Sequence, residues 1–501
     1  MPLKKTFSSK FFWIVLICVS ITTVALKTRS FTNSNPMRLV SSSSCDCYSS
    51  SSLFNVVINF NSIVAGDLQS FNVQSQADCF AWKEFISLNW PSDSTVSFGT
   101  PGNLSPVQWE TFMPREVLFQ PGGIAPPTWG TLVSERYVKN FKSQKLLLNK
   151  TSTKLLTFTS KIEDNDPMVN FSANQAAPQG KPAWLGAQNG SNVWYEIMLN
   201  KDYYDYVVNK GFYNAQAQHD SVNKNVPLIF PQGVYQGKTG AIELKAAWME
   251  VSDPQSAKWN RYKLSKATVL DQGSKQLRNT VVALVGLHIL HKTQNQPTWV
   301  WATFEQIDNV PSPSVASPPY GYNFNNSNCI SQQVKIKTAG GDTLVNVPCT
   351  PNTSPPYYLN QANPVPIQIV RTNAIDATDA APINTKMQNN IRLFYPNSVW
   401  QYYQLVDVIW SQTPQPDAST PIKIPRKLNA SAMRPISIVA NATLETYIQS
   451  KTCFNCHVYS TIAPLPSDSA NNNIFGDFSF AIKFAKYPGS SKLRYKQNIR
   501  H

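Results

Sequence analysis

The sequence predicts an α+β fold: a large β-rich body with peripheral helices and a C-terminal helix that carries a reactive motif. Three observations predict it. Residues 240–251 and 280–293 read as strands, and the second is apolar on both faces, so it belongs at the centre of a sheet. Helical periodicity is confined to short stretches, because the 36 Pro and 20 Gly are spread along the chain and favour turns. The third observation is Cys453-Phe454-Asn455-Cys456-His457. At helical spacing Cys453, Cys456 and His457 share one face.

Residues 1–26 have the form of a signal peptide or membrane anchor. Lys4, Lys5 and Lys10 precede an apolar run over 11–26, and Thr23-Val24-Ala25 offers a small-residue cleavage site. The run is shorter than the roughly 20 residues that span a bilayer, which favours a cleaved signal and places the body on the exported side. Residues 27–67 read as a Ser-rich tether holding Cys45 and Cys47. The α+β body follows over 68–430, with its central strands near 240–310, and residues 431–501 form a final segment around the C-x-x-C-H motif.

Within the body, 75–90 reads as a helix capped by Ser75 and stopped by Pro91, and 106–119 as a second short helix. Residues 185–215 run from a strand into a helix, and 227–230 is expected as a short strand. Residues 299–307 should pair antiparallel with the central strand. The stretch 398–411, rich in Trp and Tyr, reads as an amphipathic helix capped by Ser398. A helix capped by Asn441 should lead into the C-x-x-C-H motif, and 478–484 alternates Phe and Ile as a short strand or turn of helix. An exported chain favours paired cysteines, so Cys329 is expected to join Cys349, and Cys79 to join Cys45 or Cys47.

The C-x-x-C-H spacing is the attachment signature of haem c. Each thiol adds to one vinyl group of the porphyrin, and the adjacent imidazole binds the iron from one side. A thioredoxin-like pair would follow a strand in a βαβ pattern, and a zinc site would need two more ligands nearby; neither is seen in the sequence. One covalent haem c on Cys453, Cys456 and His457 is therefore expected.

The stretches GLHILHKT and PTWVWATFEQIDNVP (286–310) and LETYIQSKTCFNCHVYS (444–460), with WKEFISLNWP and VQWETF nearer the N-terminus, resemble a family of exported bacterial proteins of about this length. Those proteins carry a single C-terminal C-x-x-C-H motif and are grouped as monohaem cytochrome c family proteins. The resemblance covers most of 75–485, implies an exported c-type haem protein and says little about substrate.

The pattern departs from a class I cytochrome c, where the motif opens a small helical domain and a methionine follows it. Here no methionine follows His457. The second axial ligand must come from upstream or be absent; His291 and His288 rank narrowly ahead of Met433. Because residues three apart on a strand face opposite ways, at most one of the two histidines can face the haem. Two functions compete. The first is single-electron transfer to a periplasmic partner. The second is a haem enzyme with an open distal site, peroxidase-like or acting on small oxides, with Glu305 and Asp308 as candidate acid/base groups. The net charge of +15 suits an acidic redox partner or an anionic membrane surface. Nucleic acid is excluded as a partner, because the positive charges are dispersed and the chain is expected to be exported.

Overall fold

The computed structural model describes residues 60–130, 154–156, 185–270, 277–312, 316–338, 341–347, 349–353, 366–414, 423, 426–466 and 473–488. The leader, most of the tether with Cys45 and Cys47, and the basic tail lie outside the described residues. No helix among the described residues is long and apolar enough to cross a membrane.

Helix α1 (Gln74–Leu88) comes first, followed by β1 (Met113–Pro114), α2 (Arg115–Leu118), β2 (Lys154–Leu156) and β3 (Val193–Leu199). Next are α3 (Lys201–Asn209), α4 (Ala215–Asn223), β4 (Ile242–Glu250), β5 (Leu264–Leu270), β6 (Leu277–His291) and β7 (Val300–Gln306). The hairpin of β8 (Gln332–Thr338) and β9 (Gly341–Val347) precedes α5 (Ala380–Phe394), β10 (Tyr403–Ser411), β11 (Met433–Arg434) and α6 (Cys453–His457). The main sheet has nine strands, with the path β1-β3-β4-β6-β7-β10-β11; β5 joins β6, and β2 joins β5 in parallel. Strand β6 is central, as its two apolar faces predict, and β7 is its antiparallel partner. β8 and β9 form a separate two-stranded sheet, and the Cys329–Cys349 disulfide closes the segment around them. Cys79 is disulfide-bonded; its expected partners Cys45 and Cys47 lie outside the described residues.

Alternation assigns the two faces of the sheet. Leu287 and Ile289 of β6 with Val300, Ala302 and Phe304 of β7 join the core under α1 and α5. Leu290 and Trp301, which are in register, face the opposite way into the core built by α3 and the C-terminal segment. Helix α1 lies on the first face because its aromatic residues fit there. Phe85 stacks on Phe304 with ring centroids 4.3 Å apart, and Trp82 meets the same ring edge-on at 5.2 Å. The body also reaches back before Leu68: Phe60 packs on Phe98 and Tyr395.

Several local expectations change. Helix α1 starts at Gln74 after Val73, so Ser75 lies inside it; the stop before Pro91 holds, with the N–H of Asn89 closing on Phe85 O. Residues 106–119 break at Pro114 into a 3-10 turn, the bridge strand β1 and the single turn α2. Residues 227–230 form no strand. The largest correction is 398–411, expected as a helix and found as a 3-10 turn capped by Ser398 running into strand β10. Every residue of β10 is buried, so the aromatic run meets apolar surroundings on both faces and its apparent helical stripe carried no information.

A buried carboxyl pair joins α1 to β10. Gln74 Nε2 donates to Asp78 Oδ1 at 2.8 Å, Asp407 Oδ1 at 2.9 Å and Val408 O at 2.9 Å, while its Oε1 accepts from Trp410 Nε1. Two amide hydrogens cannot serve three acceptors fully. Burial pushes the Asp407 carboxyl up to about 7, with Asp376 and Asp379 adding repulsion, and burial beside Asp407 holds Asp78 well above the carboxylate range. A carboxyl raised when folded keeps its proton between its ordinary value of 3.8 and about 7. Its contribution to stability is complete below about pH 4 and is lost as pH rises through 7. Asp407→Asn should therefore flatten the fall in unfolding free energy between about pH 4 and 7 by on the order of 1–3 kcal/mol, measured by urea titration at each pH. An unchanged slope refutes the assignment.

Candidate functional site

The C-x-x-C-H segment is a five-residue helix, α6, and the helix expected before it is absent. Asn441 does cap a turn, its Oδ1 accepting from the N–H of Thr443 at 2.9 Å. Its amide, however, reaches into the sheet and donates to Thr303 Oγ1 and Phe304 O, each at 2.9 Å. Glu445 accepts from the N–H of Asn441 and bonds His288 of β6. The sheet thus captures the polar groups that would have served a helix, and 441–451 runs as successive turns. Helix α6 begins where Thr452 and Asn455 cap each other: Thr452 N–H donates to Asn455 Oδ1 at 2.9 Å and Asn455 N–H to Thr452 O at 3.0 Å.

The i, i+3, i+4 relation still puts Cys453, Cys456 and His457 on one side of that turn. Cys456 and His457 are buried, and Cys453 is half-buried. The imidazole of His457 lies between Trp301 and Phe480, at centroid distances of 4.5 and 4.8 Å. Phe454 meets Trp301 at 5.2 Å and Phe478 at 5.8 Å. His457 Nδ1 is 2.6 Å from the carbonyl oxygen of Phe478. A carbonyl only accepts, so Nδ1 carries the hydrogen, and in the neutral ring the lone pair is then on Nε2. Neither Phe478 O nor Trp301 was a sequence candidate; the Gly476-Asp477 pair, a turn signal, was the available hint.

The sequence-predicted axial candidates separate. His291 points to the α1 face: it stacks on Phe80, its Nδ1 bonds Glu84, and its Nε2 lies 2.6 Å from Thr239 O. Trp301 and His457 are on the other face, so the structure does not bring His291 to His457. His288 is on the correct face but is held by Glu445 at 2.9 Å. Met433 packs, half-buried, on the same hydrophobic cluster as Cys453 and Phe454. His291 also has a clear structural role. Burial lowers its pKa, but the adjacent Glu84 carboxylate more than offsets this and the net direction is up.

The proposed acid/base groups are ion-paired and buried. Glu305 is fully buried against Arg371 and accepts the N–H of Ala442. Asp308 accepts a bidentate pair from Arg261, Nε at 2.7 Å and Nη2 at 2.6 Å. Both pairings are those of structural anchors. Among the described residues no group of three His, Cys, Asp or Glu side chains is placed to hold a bare metal ion.

The residues fit a covalently held haem in chemistry. Two thiols and an imidazole share one side of a turn, the imidazole is held by Nδ1 with Nε2 bearing the lone pair, and the walls are aromatic. No protein-family model, curated protein or solved structure matches the chain.

Because His291 and Glu84 are a buried pair, His291→Leu should destabilise by about 3–5 kcal/mol, leaving a carboxylate without its partner. Adding Glu84→Leu should recover most of that loss. Equal loss in the single and double variants, read from urea midpoints, would show that the two residues are not coupled.

Proposed function

We propose that this chain is an exported c-type haem protein that passes single electrons to a partner. The carrying observation is the hydrogen bond from His457 Nδ1, in the C-x-x-C-H helix, to the carbonyl of Phe478. A metal-binding histidine characteristically gives its other ring hydrogen to a carbonyl or carboxylate, which fixes the tautomer and ring orientation. A generic buried histidine has no requirement for that tautomer beside two cysteines.

Cys453 and Cys456 would hold the porphyrin through thioethers, and His457 would bind the iron through Nε2. When bound, the haem supplies a one-electron couple. The protein contributes the rest. Trp301 and Phe480 pack on the buried imidazole, with Phe454 and Phe478 beside Trp301, and low dielectric there penalises extra charge. Trp301 and Phe480 cover the ring closely, so a porphyrin held here must part them. Met433, which packs on the same hydrophobic cluster as Cys453, would be the candidate for a second iron ligand, and a thioether ligand would raise the potential. The enzyme alternative loses support, because Glu305 and Asp308 are committed to Arg371 and Arg261. Net positive charge favours an acidic partner on the exported side, or contact with an anionic membrane surface.

Expression of the full chain with haem-maturation machinery tests this. Wild-type protein should give a haem-staining band on a denaturing gel and a low-spin spectrum. Cys453→Ala with Cys456→Ala should reduce the staining to background. Met433→Ala should turn the spectrum high-spin and responsive to carbon monoxide, while His291→Leu should not. A colourless wild type, or staining that survives loss of both cysteines, overturns the proposal.

A further inference from the structure

Residues 476–479 form an unusual turn. Asp477 and Phe478 both have left-handed backbone conformations, φ 51° and 63°. A bulky residue such as Phe adopts this region at a cost, and it persists only where surroundings impose it. The surroundings here are specific. Lys292, the residue after β6, is fully buried, and its Nζ donates to Asp477 Oδ1 at 2.8 Å and to Pro297 O at 2.9 Å. Asp477 Oδ2 accepts the N–H of Phe230 at 2.8 Å, and Asp477 O accepts Trp299 Nε1 at 3.1 Å. Ser479 Oγ donates to buried Glu243 Oε2 at 2.6 Å. On the other side, Gly476 N–H donates to Ser460 O at 2.9 Å, just beyond α6. A Cβ at Gly476 would stand 2.8 Å from the Thr461 carbonyl, so that close approach requires glycine.

The turn is thus fastened to the sheet by Asp477 and to the end of α6 by Gly476. What it presents between Asp477 and the Ser479 anchor is the Phe478 carbonyl, 2.6 Å from His457 Nδ1. We propose that Lys292 and Asp477 are positioning residues: the buried pair holds the turn so that the Phe478 carbonyl selects the Nδ1–H tautomer of His457 and orients Nε2 as the donor atom. This rests on the haem reading for its purpose, but its geometry does not depend on haem. Both would act on His457 through the backbone of Phe478.

Two measurements on the full chain test the proposal, using the double variant Lys292→Met with Asp477→Asn. That variant removes both charges of the pair. Lys292→Arg serves as the conservative control that keeps the pair. The first measurement is the tautomer of His457, read from long-range proton–nitrogen NMR of protein labelled at histidine nitrogen, in the Cys453→Ala, Cys456→Ala background. The Nδ1–H form should dominate there and in the Lys292→Arg protein. The double variant should shift toward the Nε2–H form. The second is the midpoint potential of the haem-loaded chain. Weakening the bond at Nδ1 makes Nε2 a poorer donor to ferric iron, so the double variant should favour reduction by roughly three- to tenfold, tenfold being about 59 mV for one electron. A wild type without haem would sink the functional reading alone, and the tautomer result would still decide the clamp. A tautomer unchanged in the double variant overturns the clamp, as does an unchanged potential in a haem-bearing protein. A variant that unfolds, shown by loss of the NMR dispersion kept by Lys292→Arg, would make the pair a folding anchor and also overturn a specific positioning role.

Discussion

A strand buried on both faces leaves no water for its polar side chains, and β6 carries three of them at its C-terminal end. His288, His291 and the following Lys292 are each buried. Each finds a carboxylate from a different part of the chain: Glu445 from the turns before α6, Glu84 from α1, and Asp477 from the turn beyond it. These three pairings fix what packs on the centre of the sheet. Alternation sends His288 and His291 to opposite faces, so one pairing locates the helical layer and another the segment leading to the cysteines.

Such pairs are weak evidence for net stability, because desolvating both partners costs about as much as their attraction returns. Their effect lies in the penalty for mispairing. Any packing of α1 or of the C-terminal turns that leaves a buried imidazole or ammonium without its carboxylate costs several kcal/mol. The apolar cores on either face tolerate a range of positions; the polar pairs do not. This division explains how a sheet so uniformly hydrophobic holds its peripheral elements in one register.

The same physics decides what was legible in the sequence. Strands β4, β6 and β7 were readable because burial on both faces leaves continuous apolar runs. Helix α1 was readable because Pro91 marks its end. The failures at 398–411 and 441–451 share a cause. In the first, aromatic residues at helical spacing belong to a strand whose two faces are both covered, so periodicity cannot discriminate. In the second, good local capping by Asn441 loses to long-range partners on β7 and β6, which no local signal reveals. Of the site, the cysteines and His457 were legible from spacing alone. Where His288 and His291 face was not legible, because strand alternation separates them without saying which face the motif packs against. Phe478 escaped notice because it acts through its carbonyl, which every residue has.

The size of the body relative to its motif has a physical reason on this view. Helix α6 is five residues long, far below the roughly 12–15 at which an isolated helix becomes even marginally stable. It cannot orient its own side chains. A long haem-bearing helix packed on a neighbour would supply its rigidity through its own length; here rigidity is imported. Trp301 from the sheet bounds the imidazole on one side, Phe480 bounds it on another, and the turn held by Asp477 fixes its hydrogen bond. Trp301 belongs to β7, and the turn is anchored by Lys292 just after β6 and by Glu243 of β4. The single short turn that bears Cys453, Cys456 and His457 is therefore held in place by the sheet behind it.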